Sequence, residues 1–422
     1  MQLFDVRSHR VVILNTAIAS RIATGLLIYT STYFSLFDAS PLVIVAALES
    51  SLMRWASSHL RWDAFHFTHI AQRGYVFEYE FAFFPGVPII MRSMAEFGAV
   101  LGLARWSLVP NLSQLIIGGA LAAMALDSSM DLYSLTLFHT KSAHFALLAT
   151  LMSLIPSSPA VLMHGAYSEP FFAFFSFKGM LFCTKQNWLA AALCFAIATT
   201  FRANGLLLCG YLAWGIVVSP WLRENKIALK SFLFFVVMAL ISVVPFFLHQ
   251  YYAYLSFCHN SSSRPEWCDR TVPFIYSYVQ ARYWDVGFLR YWEISQLPNF
   301  ILGAPPLTLL IYTSSTHIFE AGLEIVHRKE KIQKLPSRLN FLSSHTLDIL
   351  PYAIHALVLT LILLFASHTQ IVLRLASSLP FTHWAAAALF IEKPRIGRIW
   401  VAWSVIWGTM SCILWGVFLP PA

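Results

Sequence analysis

Charged residues are scarce in this chain of 422 residues, of which 11% are Asp, Glu, Lys or Arg. A soluble domain of this length normally carries about a quarter, so the shortage excludes an ordinary soluble globular protein. Apolar residues make up 58% of the chain, and the mean hydropathy is +0.65. The apolar runs are longer than the ~10-residue alternating strands of outer-membrane barrels. The composition therefore predicts an all-α polytopic membrane protein.

Several common catalytic and binding motifs are also absent. The sequence has no glycine-rich phosphate-binding loop, no Ser-His-Asp arrangement in readable order and no zinc-ligand spacing. Chemistry driven by a soluble nucleotide is therefore not expected. The net charge of +8 does not indicate nucleic acid, because Lys and Arg collect in loops on one side, as the orientation of membrane proteins requires. We predict a membrane environment and no nucleic-acid partner.

Basic segments set the predicted orientation. Three of them are placed in the cytosol: 223–230, 327–334 and 393–398. Arg7 and Arg10 precede an apolar run that is longer than a signal-peptide core, so we predict a retained first span and a cytosolic N-terminus. The main loops that result are 39–107 and 251–298 in the lumen and 320–345 in the cytosol.

The apolar segments predict about eleven crossings in a single membrane domain over residues 1–422. They lie near 11–37, 108–137, 141–160, 167–184, 187–201, 205–221, 230–250, 299–319, 346–367, 379–392 and 398–419. Only an odd number of crossings fits between the first span and the cytosolic Lys141. We therefore predict that 81–103 is re-entrant or interfacial and that 108–137 crosses with a break at Asp127. The alternative places two spans in this region.

Two cysteines and a sequon share the loop 251–298. A disulfide between Cys258 and Cys268 and a glycan on Asn260 would each require the lumen, so we predict both. The other four cysteines fall in apolar spans, where a free thiol packs as a small hydrophobe. A second sequon at Asn111 lies close to the membrane and is not expected to be modified.

Asp63 stands in an aromatic segment directly after Trp62. Charged residues at a membrane face are costly unless water, a partner or a substrate needs them. A carboxylate in such a partly dry setting is suited to act as a general base or to orient an acceptor hydroxyl. The alternatives are a helix N-cap or an ion-pair partner for Arg61.

Other polar residues follow in the same loop. Glu78 and Glu80 are suited to bind the hydroxyls of an acceptor sugar, and the alternative is that they only solvate the loop. His66 and His69 have a spacing of three, which is compatible with a metal on a helix. A third close ligand is lacking, so we expect them to be structural.

Arg202 and Asn204 are placed at the tip of a short helical hairpin. A guanidinium presents a fork that suits phosphate oxygens, whereas the alternative is an interfacial anchor. Glu169 precedes Pro170 at another lumenal tip and is a candidate partner for Arg202. In the loop 251–298, four arginines lie among aromatic residues that include Tyr283 and Trp284. This pattern favours a binding surface for a phosphorylated glycolipid over a simple aromatic belt.

The sequence block Arg61-Trp62-Asp63-Ala64-x-His66-Phe67 resembles the GPI mannosyltransferase 2 family of the GT-C class of glycosyltransferases. The resemblance continues in order through seven further blocks: 74–88, 165–169, 202–205, 250–254, 273–278, 283–289 and 296–300. The chain departs from the family pattern near 261–269 and after Thr382. The resemblance therefore covers most of the chain.

The resemblance implies a GT-C fold in the endoplasmic reticulum membrane with a lumenal active site. It implies transfer of mannose from dolichyl-phosphate-mannose to the 6-hydroxyl of the first mannose of a GPI precursor. A β-linked donor and an α product mean inversion, which needs one base. We assign the base to Asp63, and Arg202 or the loop arginines to the leaving phosphate. No metal or cofactor is expected, and a small membrane partner subunit is compatible with this class of enzyme.

The substrate-binding residues expected on this basis are Trp62, His66, Glu78, Glu169, Arg202, Asn204, Tyr283, Trp284 and Asp285. Two alternatives stay open. Another dolichyl-phosphate-sugar transferase would have the same donor chemistry and a different acceptor. A lipid-linked-sugar transporter would need ionisable residues at membrane depth and two matched halves, and no internal repeat is apparent in the sequence.

Overall fold

A computed structural model describes residues 2–38, 51–102, 110–224, 226–259, 264–330 and 346–420. These residues form helices and connections, with no β-strand among them. The longer helices are α1 (Gln2–Ser31), α2 (Ser51–His59), α3 (Asp63–Arg73), α4 (Gly86–Val100), α5 (Leu112–Ala125), α6 (Ser129–Thr140), α7 (Ala143–Ser153), α8 (Ser168–Thr184), α9 (Trp188–Thr199), α10 (Ala203–Glu224), α11 (Leu229–Phe257), α12 (Ile275–Tyr283), α13 (Leu297–Glu330), α14 (Thr346–Phe365), α15 (Pro380–Glu392) and α16 (Pro394–Gly416). The predicted all-α fold class is confirmed.

The described helices include seven that are long and apolar enough to cross a membrane. They are Val6–Ser31, Leu112–Thr140, Ala203–Glu224, Leu229–Phe257, Ile294–Val326, Thr346–Phe365 and Pro394–Gly416. The protein is therefore a multi-pass membrane protein. The helices α7 and α9 are apolar but have 11 and 12 residues, fewer than the ~20 that a perpendicular span needs. The count of about eleven crossings stays a prediction.

The segment Leu112–Thr140 is interrupted at Asp127, between α5 and α6. Arg21 of α1 lies 3.3 Å from the Asp127 carboxylate and donates to the Leu126 carbonyl at 2.6 Å. Ser129 donates its hydroxyl to the same carboxylate at 2.6 Å. A broken helix inside a membrane must satisfy its freed backbone groups within the protein. Arg21 does so here for the Leu126 carbonyl.

Helix α4 places the first predicted lumenal loop against the end of α9. The Gly86 N–H donates to the Thr200 carbonyl at 2.8 Å. A Cβ added at Gly86 would lie 2.5 Å from the Phe201 ring, so only glycine permits this approach. The contact brings the loop that carries Asp63 next to Arg202.

The C-terminal end of α16 holds the residues that precede Asp63. Arg61 is 2% exposed, and it donates to the carbonyls of Trp415 at 2.8 Å and Gly416 at 3.0 Å. These carbonyls have no partner within α16 because the helix ends there, and a cation suits that end of the helix dipole. Trp62 has a φ of +34° and stacks on Phe418 at 5.2 Å. A strained conformation of this kind costs about 1–3 kcal/mol, and the packing around it must supply that energy.

The loop 251–298 packs on the first loop. A disulfide joins Cys258 to Cys268, and α12 contacts the 3-10 helix Glu78–Ala82. Asn260 lies outside the described residues. The first part of the predicted cytosolic loop 320–345 is helical, because α13 continues to Glu330. Residues 331–345 are outside the described part of the chain, as are 39–50 and 103–109 of the first loop.

The contacts of Arg61 predict that Arg61→Gln lowers the thermal stability and moves Asp63 out of place. Each hydrogen bond from a charged group contributes about 1.5–3 kcal/mol, and at least two of them are lost at the end of α16. We expect a lower midpoint of thermal unfolding, measured by tryptophan fluorescence in detergent. Arg73→Gln is the matched control because Arg73 is exposed on the same loop. Equal midpoints for the two variants would contradict this role of Arg61.

Candidate active site

Four charged side chains from distant parts of the chain meet in one cluster. Arg374 Nη2 lies 2.8 Å from Asp63 Oδ2, and Arg374 Nε lies 2.7 Å from Glu169 Oε1. Arg202 Nη1 lies 2.7 Å from the same Glu169 oxygen. Asp63 begins α3, Glu169 is in the first turn of α8, Arg202 joins α9 to α10, and Arg374 is in the short helical segment 369–378. The two carboxylates and two guanidiniums balance in charge.

Burial changes across this cluster. The Glu169 side chain is 0% exposed, Arg374 is 13% exposed and Asp63 is 30% exposed. A buried carboxylate is costly unless cations and hydrogen bonds compensate it, and Glu169 has two guanidiniums around it. Burial by itself lowers the pKa of Arg374, but the Glu169 and Asp63 carboxylates outweigh this effect and raise the pKa. Arg374 therefore stays charged, and Asp63 forms the accessible end of the cluster.

Arg374 is the member of the charged cluster that the sequence did not identify. It is the only arginine between the predicted spans 346–367 and 379–392, on the side assigned to the lumen. A lone cation on that face is the signal that could have identified it. Its contact with Asp63 also corrects the alternative interpretations of Asp63. Arg61 donates to backbone carbonyls instead, and Trp62 occupies the N-cap position of α3.

The Asp63 carboxylate has an aromatic wall beside it. His66, one turn further along α3, stacks on Phe83 at 4.4 Å and lies 6.3 Å from Trp284 between ring centroids. Burial lowers the pKa of His66, although the Asp63 and Glu80 carboxylates act in the opposite direction. His66 is thus neutral near pH 7 and forms part of the wall. Among the described residues, only Arg374 contacts the Asp63 carboxylate, through Oδ2.

The two predicted lumenal loops are joined through Glu78. Trp267 Nε1 donates to Glu78 Oε1 at 2.9 Å, and the Tyr283 hydroxyl donates to Oε2 at 3.4 Å. Glu80 differs from Glu78, because it is buried and accepts hydrogen bonds from the Val76 and Phe77 N–H groups and a contact from His69. Glu80 therefore stabilises the conformation of the first loop, whereas Glu78 links that loop to Tyr283.

Other predicted binding residues lie in separate local contacts. Asp285 is 74% exposed and forms an ion pair with Arg290 at 3.0 Å. Arg264 lies 3.8 Å from Asp269, and Arg270 lies over the Tyr278 ring. These three arginines have local partners, so their expected role at the leaving phosphate stays a prediction. The indole of Trp62 is used in packing on Phe418.

The pair of histidines does not form a metal site in the described part of the chain. His66 stacks on Phe83, whereas His69 contacts Glu80. No group of three or more His, Cys, Asp or Glu side chains that could hold a metal ion occurs among the described residues. The structural interpretation of these histidines fits their contacts.

Two nitrogen donors at the Arg202 end of the cluster are unused. Arg202 Nε and Asn204 Nδ2 are both buried and have no acceptor among the described residues. Buried donors without a partner cost free energy, which an acceptor brought by a ligand would recover. Phosphate oxygens match a guanidinium edge and an amide in this way. The arrangement is suited to an anionic substrate placed beside a carboxylate base.

Comparison with known proteins agrees with this chemistry. Residues 6–422 match the family described as mannosyltransferase (PIG-V). GPI mannosyltransferase 2 of Cryptococcus neoformans (strain JEC21) is 32% identical over 92% of both chains. GPI alpha-1,6-mannosyltransferase 2 of Homo sapiens is 33% identical over 80% of this chain and 74% of its own length.

A third relative, GPI mannosyltransferase 2 of Yarrowia lipolytica, is 31% identical over 87% of this chain and 89% of its own length. No solved structure matches the chain. The family match covers nearly the whole sequence and confirms the resemblance carried by the motif around Asp63. The chain belongs to the PIG-V mannosyltransferase family.

Proposed function

We propose that this mannosyltransferase transfers mannose from dolichyl-phosphate-mannose to the first mannose of a GPI precursor, forming the α-1,6-linked second mannose on the lumenal side of the endoplasmic reticulum membrane. The relatives' names supply the GPI pathway and the α-1,6 linkage. The observation that carries the mechanism is the accessible Asp63 carboxylate held by Arg374 within a charge-balanced cluster.

The reaction is a single displacement with inversion. The bond between C1 of mannose and the phosphate oxygen breaks, and that oxygen keeps the electron pair. A bond forms between C1 and the acceptor hydroxyl oxygen, whose proton passes to Asp63. The base has one carboxylate oxygen that no described protein group contacts, and this oxygen is free to face the hydroxyl. The phosphate leaves as dolichyl phosphate.

The leaving phosphate gains negative charge in the transition state, so fixed cations beside it lower the barrier. Arg374 and Arg202 are suited to this role because Glu169 holds both guanidiniums in place. Asn204 adds an unused donor. The mechanism proposed here uses no metal or cofactor.

The aromatic wall of His66, Phe83 and Trp284 is assigned to the acceptor sugar. Flat rings with a few polar groups are typical of small-molecule sites that orient their ligand. Glu78, held by Trp267 and Tyr283, is placed to accept hydrogen bonds from sugar hydroxyls. These groups lie on the side of α3 that faces the loop 251–298.

The lumenal location rests on two independent features. The residues of the charged cluster come from connections between spans. The distribution of Lys and Arg among the loops assigns these connections to the lumenal side of the membrane, and their mutual contacts require that they lie on the same side. The disulfide between Cys258 and Cys268 adjoins Trp267, which donates to Glu78. Disulfides persist in oxidising compartments. Both features favour a lumenal site.

The family match favours an enzyme over a lipid-linked-sugar transporter. The identity of the acceptor distinguishes the proposed reaction from that of another dolichyl-phosphate-sugar transferase. Transfer by the purified chain alone would make a partner subunit unnecessary for catalysis, and transfer only after addition of a membrane fraction would require one.

Asp63→Asn is expected to abolish transfer while the protein still folds. Loss of a general base costs about 100- to 10,000-fold in rate, and Asn keeps the shape of Asp in a side chain that is 30% exposed. The measurement is transfer from labelled dolichyl-phosphate-mannose to a one-mannose GPI precursor at matched expression. Asp269→Asn is the control, because this carboxylate is 71% exposed in a loop away from the cluster. Full activity of Asp63→Asn would remove Asp63 from the mechanism.

The predicted glycan provides a test of orientation. We expect an endoglycosidase to shift the electrophoretic mobility of the wild-type chain, and Asn260→Gln to remove this shift. Asn111→Gln should leave the shift intact, because the Asn111 side chain accepts a hydrogen bond from the Gln114 N–H at 2.9 Å and caps α5. A mobility shift that survives Asn260→Gln and disappears with Asn111→Gln would place the glycan on Asn111 and contradict its assignment to Asn260.

A further inference from the structure

Arg374 is shared between two carboxylates. Its Nη2 lies 2.8 Å from Asp63 and 2.6 Å from Glu169, and its Nε contacts Glu169 at 2.7 Å. The guanidinium lies over the Tyr167 ring at 5.1 Å. Its Nη1 has no acceptor in the described part of the chain. One nitrogen of a buried cation is thus left for another ligand.

The two contacts of Arg374 are unequal. Glu169 is fully buried and also binds Arg202, so separating it from Arg374 would leave a buried charge less well compensated. Asp63 is 30% exposed, so water or a substrate can replace the guanidinium there at lower cost. Arg374 can therefore turn away from Asp63 while Glu169 continues to hold it.

The proposed reaction presents Asp63 with a conflict. In the resting cluster the Asp63 carboxylate accepts a hydrogen bond from the Arg374 guanidinium through Oδ2. The same guanidinium is needed at the leaving phosphate. The cluster has two negative and two positive groups, so a bound phosphate adds an anion that must compete with a carboxylate for a cation. Asp63 is the carboxylate that can give up its contact with Arg374, because it is the more exposed of the two.

We propose that Arg374 holds the Asp63 carboxylate in the resting enzyme and passes to the phosphate of a bound lipid substrate, so that phosphate binding releases the base. This inference rests on the proposed function. The released Asp63 then takes the hydroxyl proton as the acceptor attacks, and the leaving phosphate keeps Arg374 as its cation. The base is therefore released only when a phosphate-bearing lipid is bound.

The neighbouring donors fit the same phosphate. Arg202 Nε and Asn204 Nδ2 are buried without acceptors, and Arg202 shares Glu169 Oε1 with Arg374. The phosphate could belong to the donor or to the phosphodiester of the acceptor lipid, since both present the same oxygens. The alternative role for Arg374 is structural, in which it only neutralises Asp63 and Glu169.

A binding measurement separates the shared cation from the structural role. The probes are dolichyl phosphate, phosphatidylinositol and dolichol, which lacks a phosphate, each bound to the purified full chain in nanodiscs. Asp63→Asn should tighten phosphate binding by about fivefold or more, a typical size for coupling between two ligands, because Arg374 loses its competing carboxylate. Arg374→Gln should weaken it. Dolichol binding should not respond to either change.

The variant that carries both Asp63→Asn and Arg374→Gln completes a double-mutant cycle. In the Arg374→Gln background, Asp63→Asn should have no further effect on phosphate binding, because the shared cation is gone. If Arg374→Gln does not fold, Arg374→Lys replaces it, since a single ammonium keeps the charge but cannot span both carboxylates. Asp269→Asn controls for the loss of any lumenal carboxylate. A response to dolichyl phosphate assigns the phosphate to the donor, and a response to phosphatidylinositol assigns it to the acceptor.

Unchanged or weaker binding of both phosphates by folded Asp63→Asn would overturn the inference. The proposed function is judged separately, by mannose transfer with the wild-type chain. Transfer by the wild type together with unchanged binding by Asp63→Asn would leave the function standing and make Arg374 structural. Absence of transfer even with a membrane fraction added would count against the function itself.

Discussion

The Glu169 carboxylate, buried at the first turn of α8, sets the arrangement of the charged cluster. A buried carboxylate must be compensated where it lies, and Glu169 is compensated by Arg202 from one side and Arg374 from the other. These partners come from segments 33 and 205 residues away along the chain. Once Arg374 is fixed by Glu169, its remaining contact reaches the Asp63 carboxylate. The buried Glu169 and the more exposed Asp63 thus share one guanidinium.

A second ion pair shows what distinguishes this cluster from a structural one. Arg21 and Asp127 also meet inside the bundle, but Arg21 donates in addition to the backbone carbonyl released by the helix break. Arg21 therefore also completes the backbone hydrogen bonding at this break. Arg374 donates to no backbone group among the described residues. Its hydrogen bonds in this part of the chain go to carboxylates, and one of these, Asp63, is partly exposed to solvent, which is an arrangement that a substrate can alter.

Much of the helical framework follows from local sequence, whereas the cluster does not. Long apolar runs are sufficient to predict α11 and α14, and the charge of Asp127 within such a run indicates the break between α5 and α6. The pairing of Arg374 with Asp63 joins residues 311 positions apart, and no local pattern encodes it. Closeness in sequence favours Arg61 as the ion-pair partner of Asp63. The carbonyls at the end of α16 bind Arg61 instead, and they are more than 350 residues away along the chain.

The return of the C-terminus has a consequence for the base. Asp63 is linked directly to Trp62, whose positive φ is unfavourable for a bulky residue. The Trp62 indole packs on Phe418, and Arg61 binds the last carbonyls of α16. One side of Asp63 is thus tied to the chain terminus through its backbone, and the other is tied to Glu169 through Arg374. Because the backbone is held independently, Arg374 can leave Asp63 without displacing it, and the carboxylate can change partner while it keeps its position.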